Sequence, residues 1–308
     1  MASVSRRAFA AIVRSLRVTL ERLETFDADR TARLATREQA AFAPPLRVLV
    51  TGAAGGVATL VRPYLRTMFP LLVLTDQHPV TDLAAGEQFV RADLRDRHAL
   101  DALMAQVDAV LHLGAASVEA SFDDLLGPNI IGVVNVLEAA RAADVKRVVI
   151  ASTMHVLGMY RRHERVDPSS LTKPDSRYAV TKVFAEQLAS LYSAKWSMRT
   201  ACIRIGHVTP EQGTADPANW ISPDDLGRLF EMALKHPDIR QEVFHAVADY
   251  TSDDRGQEAT AQAFGFRARQ AGGSYADALL HVEQHFKDDA TGRLYRGGWF
   301  ASSGWEPV

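Results

Sequence analysis

Three polar side chains carry the strongest chemical signal in the 308-residue chain. Tyr178 and Lys182 stand four apart in Tyr178-Ala179-Val180-Thr181-Lys182, so a helix there places them on one face. A tyrosine phenol alone, with a pKa near ~10, is a poor base at neutral pH. An ammonium one turn away favours the phenolate, which can then take a proton from a hydroxyl. Thr153 lies 25 residues earlier in Ala151-Ser152-Thr153, at the end of an apolar run. Its hydroxyl can bond the same oxygen or the phenol. Together the three suit proton removal from an alcohol as hydride leaves the adjoining carbon.

A hydride needs an acceptor, and the glycine turn points to one. Leu46–Val50 is an apolar run that leads into Thr51-Gly52-Ala53-Ala54-Gly55-Gly56-Val57-Ala58. Strand, glycine turn and helix in that order form a phosphate cradle. Gly52 allows the tight turn, Gly55 lets backbone approach a pyrophosphate, and the helix start offers free N–H groups. Ala58 stands where a third glycine often sits. Asp76 ends the next apolar run, 24 residues after Gly52. A carboxylate there accepts from both ribose hydroxyls and repels a 2′-phosphate, which favours NAD over NADP. Asp93-Leu94 follows the third run and can meet the adenine.

The elements that must hold these groups follow from periodicity. Strands are expected at 46–50, 71–75, 88–90, 107–113, 147–151, 200–205 and 243–247. Helices are expected near 96–105, 123–142, 178–195 and 222–235. Strands alternating with helices imply an α/β fold, a doubly wound parallel sheet of the Rossmann type. Residues 1–43 differ: they hold eight Arg and five acidic residues without Gly or Pro, and Phe9, Ile12, Val13, Leu16, Leu20 and Leu23 recur at helical spacing. Residues 1–45 are therefore expected as a helical extension ended by Pro44-Pro45. Residues 46–308 are expected as one catalytic domain, with substrate-capping elements mainly within 207–308. The tail 285–308 is expected to wrap the surface.

Composition excludes several classes. Lys+Arg 35 against Asp+Glu 37 leaves a formal charge of −2, which argues against nucleic-acid binding through bulk charge. The basic residues are 29 Arg and 6 Lys, read as a composition bias. Cys202, alone in the sequence, permits no intrachain disulfide or cysteine metal cluster and reads as a small core residue. No apolar stretch is long enough for a transmembrane helix. Ser5-Arg6-Arg7 superficially resembles a twin-arginine signal, but Arg14 and Arg17 interrupt the apolar stretch it requires, so a cytoplasmic location is expected.

Thr51-Gly52-x-x-Gly55, Asp76, Asp93-Leu94, Leu113-Gly114-Ala115, Thr153 and Tyr178-x-x-x-Lys182 together resemble the extended short-chain dehydrogenase/reductase family over about residues 46–285. The resemblance implies Thr153, Tyr178 and Lys182 as the catalytic three. It implies a cofactor site of Gly52, Ala54, Gly55, Gly56, Val57, Asp76, Asp93, Leu94, Leu113, Gly114, Ala115, Ser152 and Ile205, completed by Tyr178 and Lys182. Within that family, Ser117-Val118-Glu119, Asn129–Asn135, His155–Tyr160, Arg204-Ile205-Gly206, Thr209-Pro210-Glu211 and Trp220–Leu226 resemble the uronate dehydrogenase branch. That branch implies oxidation of a sugar's anomeric hydroxyl with NAD, and Ser117 as a substrate contact.

Three positions depart from that pattern. Met154 stands for an asparagine that contacts the sugar, and His207 for a serine. The segment Gln212–Asn219 holds Asp216 near the place of a carboxylate-gripping arginine. A carboxylate there repels a uronate where arginine would pair with it. The expected substrate is therefore small and sugar-like but not specifically a uronate, contacted by Ser117, Met154, His155, His207 and Asp216. His155 and His207 are expected as pocket wall rather than acid/base groups, and Arg161-Arg162-His163-Glu164-Arg165 as a solvated surface run. Two other functions fit the same cofactor signal: a nucleotide-sugar epimerase or dehydratase, and a NAD-sensing binding protein. A homodimer at least is expected through helices 123–142 and 178–195, which carry apolar residues on more than one face.

Overall fold

The computed structural model describes residues 44–212, 216–217, 219–248, 259–273 and 275–303. The expected N-terminal helix falls outside the described residues. Seven parallel strands form one sheet: β1 (Arg47–Thr51), β2 (Leu71–Asp76), β3 (Glu87–Arg91), β4 (Ala109–His112), β5 (Arg147–Thr153), β6 (Arg199–Ile205) and, after two short strands, β9 (Gln241–Ala246). The order is β3-β2-β1-β4-β5-β6-β9. Helices cover both faces, so the central strands are apolar on both sides. In β1, Val48 and Val50 enter one core with Val61, Leu65 and Phe230, while Leu49 enters the other with Leu100, Val133 and Val136. That is the period of two expected of a strand buried on both faces.

Strand order reverses between β1 and β4, and such a switch opens a crevice beyond the carboxyl ends of the strands. α1 (Gly56–Met68) starts at that crevice. α2 (Arg97–Met104) begins on an Asp96 cap, whose carboxylate accepts from the Ala99 N–H at 3.1 Å. α5 (Arg177–Trp196) is capped by Ser176, whose Oγ accepts from the Ala179 N–H at 3.1 Å, and it ends on Ser197 in the left-handed region. α6 (Pro223–Lys235) starts with Pro223 behind the Ser222 cap and buries Leu226, Leu229, Phe230, Ala233 and Leu234 along one face.

The expected continuous helix 123–142 is broken. Helix α3 (Phe122–Leu125) passes into a π turn, Leu126–Ile131, before α4 (Gly132–Ala142). Pro128 has no N–H for the α-helical ladder, and the wider turn sets Asn129 inside. β7 (His207–Val208) and β8 (Trp220–Ile221) form a separate short pair, with no counterpart in the expected strands. Beyond β9 lie α7 (Ala259–Ala263), α8 (Tyr275–His285), α9 (Ala290–Leu294) and α10 (Trp299–Ser302). Cys202 is buried in β6, as expected, and burial raises its thiol pKa.

Candidate active site

Two cavities meet the carboxyl ends of the strands. The first, of about 480 Å³, lies over the switch point. Gly52, Ala54, Gly55, Gly56, Val57, Asp76, Leu94, Leu113, Gly114, Ala115 and Ser117 line it. Gly52 has φ +69°, and a β-carbon there would sit 2.5 Å from the Gly114 N, so the two loops touch backbone to backbone. Thr51 Oγ1 accepts from the Gly114 N–H at 3.2 Å and bonds His112 Nδ1 at 2.7 Å, fixing the same loop. At Gly56 a β-carbon would meet nothing within 4 Å, so the start of α1 is open. The first turn of α1 carries no acidic residue and no side-chain cap. Free amides facing open space beside glycine backbone fit an anionic pyrophosphate.

Asp76 ends β2 at that cleft. One carboxylate oxygen accepts from the Ala54 N–H at 3.1 Å and the other from the His78 N–H at 2.9 Å. It therefore pins the glycine turn while presenting negative charge to the cavity wall. This acid, the glycine floor and the open amides fit the NAD expected from sequence. Two expected cofactor contacts are engaged elsewhere. The Asp93 carboxylate accepts from Arg95 Nε at 2.9 Å and from the Arg95 N–H at 2.8 Å. Ser152 Oγ donates to Glu186 at 2.6 Å, and Arg204 clasps that glutamate through two bonds of 2.9 and 2.8 Å. Strand alternation turns Ser152 beneath the sheet end while Thr153 faces the second cavity.

The three residues expected to be catalytic come together. Tyr178 is buried, and burial pushes its phenol up to about 12. The Thr153 hydroxyl acts against that rise, while the nearby Asp175 carboxylate adds to it. Thr153 Oγ1 accepts from the His155 N–H at 3.3 Å, which leaves its own proton to donate. Lys182 is held by the Ala151 carbonyl, 2.9 Å from Nζ, with Nζ 5.8 Å from the Tyr178 ring centre. Burial lowers its pKa to about 8. Burial and the Lys182 charge hold His112 near 3, so that imidazole is neutral at physiological pH.

The second cavity, of about 310 Å³, is lined by Thr153, Met154, His155, His207 and Asp216, and by Ile205, which was expected at the cofactor, whereas Ser117, expected at the substrate, lines the first cavity. Arg162, His281, His285, Phe286 and Arg296 complete its wall. The expected solvated run 161–165 is corrected at Arg162. Its side chain is 15% exposed and its Nη1 binds Asp216 at 3.0 Å. Nη2 donates to the Gly292 carbonyl at 3.1 Å, and the guanidinium lies 5.3 Å from the Phe286 ring centre. A β-bridge between Arg161 and Tyr295 draws the run against the tail, which turns Arg162 inward. Asp216 also accepts from Asn219 Nδ2 at 3.2 Å. The carboxylate that stands for an arginine thus meets a cation from another part of the chain.

Several supporting residues carried no role in the sequence reading. Asn129 Oδ1 accepts from the Ala116 N–H at 2.8 Å, and its Nδ2 donates to Thr181 Oγ1 at 2.9 Å. It ties the Ser117 loop to the tyrosine helix. Glu119 accepts from the Tyr178 N–H at 3.0 Å and from Arg177 Nε at 2.7 Å. Phe300, from α10, packs on His155 at 4.0 Å between ring centres. Gly127-Pro128 was the one sequence signal that could have flagged Asn129; the other contacts are long-range and leave no local pattern.

Comparison with known proteins agrees with this arrangement. Residues 48–223 match the NAD dependent epimerase/dehydratase family. The chain is 37% identical to a uronate dehydrogenase of Pseudomonas syringae pv. tomato over 263 residues, covering 84% of this chain and 94% of that one. It is 31% identical over 258 residues to an L-arabinose 1-dehydrogenase (NAD(P)(+)) of Haloferax volcanii, covering 72% and 96%. The fold matches the crystal structure of a uronate dehydrogenase from Agrobacterium tumefaciens, a tyrosine-to-alanine mutant complexed with NAD. There the TM-score is 0.73 at 32% identity, over 83% of this chain and 96% of that one. The chain belongs to the NAD dependent epimerase/dehydratase family, and NAD is its cofactor.

Proposed function

From membership of that family, we propose that the protein is an NAD-dependent oxidoreductase that removes hydride from a hydroxyl-bearing carbon of a small sugar-like substrate. One observation carries this reading: Lys182 Nζ, fixed on the Ala151 carbonyl, lies 5.8 Å from the ring centre of the buried Tyr178, and Thr153, two residues on in the same strand, lines a cavity large enough for a monosaccharide. NAD, when bound, supplies the hydride acceptor and a positive ring. Gly52, Gly55, Gly56 and the start of α1 would hold its phosphates, and Asp76 its ribose. Thr153 orients the substrate oxygen. Tyr178, as the phenolate that the positive ring and the Lys182 ammonium would favour against its burial, would take that oxygen's proton. Lys182, buried and fixed on the Ala151 carbonyl, holds positive charge beneath the phenol at pH below about 8. His155, His207 and the Asp216–Arg162 pair give hydrogen-bonding groups for a polyol, and Met154 adds an apolar patch.

Screening aldoses, uronic acids and simple alcohols with NAD, read at the NADH absorbance, tests the reading. A nucleotide-sugar epimerase or dehydratase, which the family also includes, would return its NAD unchanged. Tyr178→Phe should lower turnover by roughly 10²–10⁴-fold with folding intact; unchanged turnover would remove the phenol from the chemistry.

The reading includes a homodimer. Phe122, Leu126, Val180 and Leu191 leave apolar side chains exposed on α3, the π turn and α5, which supports pairing through that face. A monomer in sedimentation at micromolar concentration would contradict it. It also includes a cytoplasmic location, resting on the arginines that interrupt the apolar stretch after Arg6-Arg7. Residues 1–45 are read as an extension and 207–308 as the source of most capping elements; deleting 1–43 and measuring oligomer size and activity tests the first.

A further inference from the structure

Asp175 lies three residues before Tyr178, and its side chain is fully buried. One carboxylate oxygen sits 2.7 Å from His155 Nδ1, and the other accepts from Ser176 Oγ at 2.8 Å. The chain is shaped to admit this carboxylate. A β-carbon at Gly158 or at Gly297 would overlap it, and the Gly297 N–H donates to the Gly158 carbonyl at 2.9 Å. The burial has a cost, because the Asp175 charge opposes ionisation of the neighbouring phenol. An acid that works against the proton acceptor of its own site, yet is fitted between two glycines, points to a second task.

That task is legible in the imidazole. A carboxylate only accepts, so the proton between the two groups belongs to Nδ1. In the neutral ring the other nitrogen, Nε2, is then a bare acceptor. The His155 side chain is 28% exposed and lines the second cavity with Thr153 and Met154. Phe300 packs on the ring at 4.0 Å and fixes its plane. Met154 offers no strong donor or acceptor, so His155 is the polar side chain that the turn after Thr153 gives to the cavity.

We propose that Asp175 is a positioning residue that locks His155 as a hydrogen-bond acceptor, so that the site selects substrates with a hydroxyl donor at that wall. The inference rests on the oxidoreductase reading and narrows its substrate to polyols. A site that accepts a hydroxyl proton should reject the analogue lacking that hydroxyl, because the bare nitrogen is left unpaired. Asparagine at 175 keeps the shape but can donate its amide to Nδ1. The ring can then carry its proton on Nε2 and lose the selection.

Two measurements test this. The first is independent of turnover. In ¹⁵N-histidine-labelled full-length protein near pH 8, two-bond proton–nitrogen correlations should show residue 155 protonated at Nδ1, its signals identified by their loss in His155→Gln. A proton on Nε2 would overturn the inference and leave the oxidoreductase reading untouched. The second compares D-glucose, D-galactose and L-arabinose with the deoxy analogues of whichever gives NADH. One deoxy analogue should fall about tenfold or more in kcat/KM with the unaltered protein. Asp175→Asn should bring that ratio to within about twofold, chiefly through KM, at an unchanged melting temperature. Equal turnover of every deoxy analogue, or a ratio that survives Asp175→Asn, would refute the assignment. If Asp175→Asn melts early, His155→Gln is read on the same deoxy pair instead: a lost ratio supports the assignment, and a retained one again refutes it. Absence of NADH with every substrate class in the broader screen would instead count against the parent reading.

Discussion

The Arg162 guanidinium binds the Asp216 carboxylate at 3.0 Å, with both side chains 15% exposed. Arg162 comes from the loop after β5 and Asp216 from the segment between β7 and β8. The pair therefore joins two walls of the second cavity and cancels the charge that Asp216 alone would present. Losing the arginine would take a cation from a largely buried carboxylate, which costs more than the intact pair contributes.

Arg162→Met should raise KM for the sugar by roughly tenfold and destabilise the protein by about 1–3 kcal/mol. The double variant Arg162→Met with Asp216→Asn should recover part of both losses, since the two side chains are coupled. Steady-state kinetics and urea unfolding of the four proteins close the cycle. Additive effects would show that the pair does not act as a unit.

Asp76→Asn keeps an acceptor for the Ala54 N–H but removes the charge that repels a 2′-phosphate. The NAD-over-NADP ratio of kcat/KM should fall at least about tenfold, a change of ~1.4 kcal/mol. A ratio that does not move would place the ribose away from β2.

Gly52→Ala combines a left-handed φ with an overlap against the Gly114 backbone. The strain is about 1–3 kcal/mol before the overlap is counted. NAD binding followed by calorimetry should be lost or weakened severely, with a lower melting temperature. Normal binding would show that the β1 and β4 loops can separate freely.

Stability should rise with pH in two windows. His112 and His245, each held near 3 chiefly by burial, bind fewer protons folded than unfolded between pH 3 and 6.5, so acid favours unfolding there. From pH 6.5 to 5.5 the two together should remove about 2 kcal/mol, read as a shift in the urea midpoint. Lys182, lowered to about 8 by burial, acts in the same direction between pH 8 and 10.5. Tyr178, raised to about 12, acts oppositely between pH 10 and 12. A urea midpoint that is flat from pH 7 to 5 would contradict the burial of the two histidines.

The parallel sheet, the glycine turn with Asp76, and the Thr153–Tyr178–Lys182 order are all legible in the bare chain. Each of these is encoded locally: a strand buried on both faces must be apolar at successive positions, and residues four apart on a helix must share a face. What surrounds the substrate is set instead by long-range packing. The run 161–165 has the charge of a solvated segment, and only its bridge to Tyr295 turns Arg162 onto Asp216. Pro128 broke a helix that apolar spacing alone made continuous, setting Asn129 inside. Asp175 reads as an ordinary residue before a helix cap until Gly158 and Gly297 close around it. Those partners lie 17 and 122 positions away in the chain. Local pattern carries no signal at such distances, because it is packing in three dimensions that brings the groups into contact.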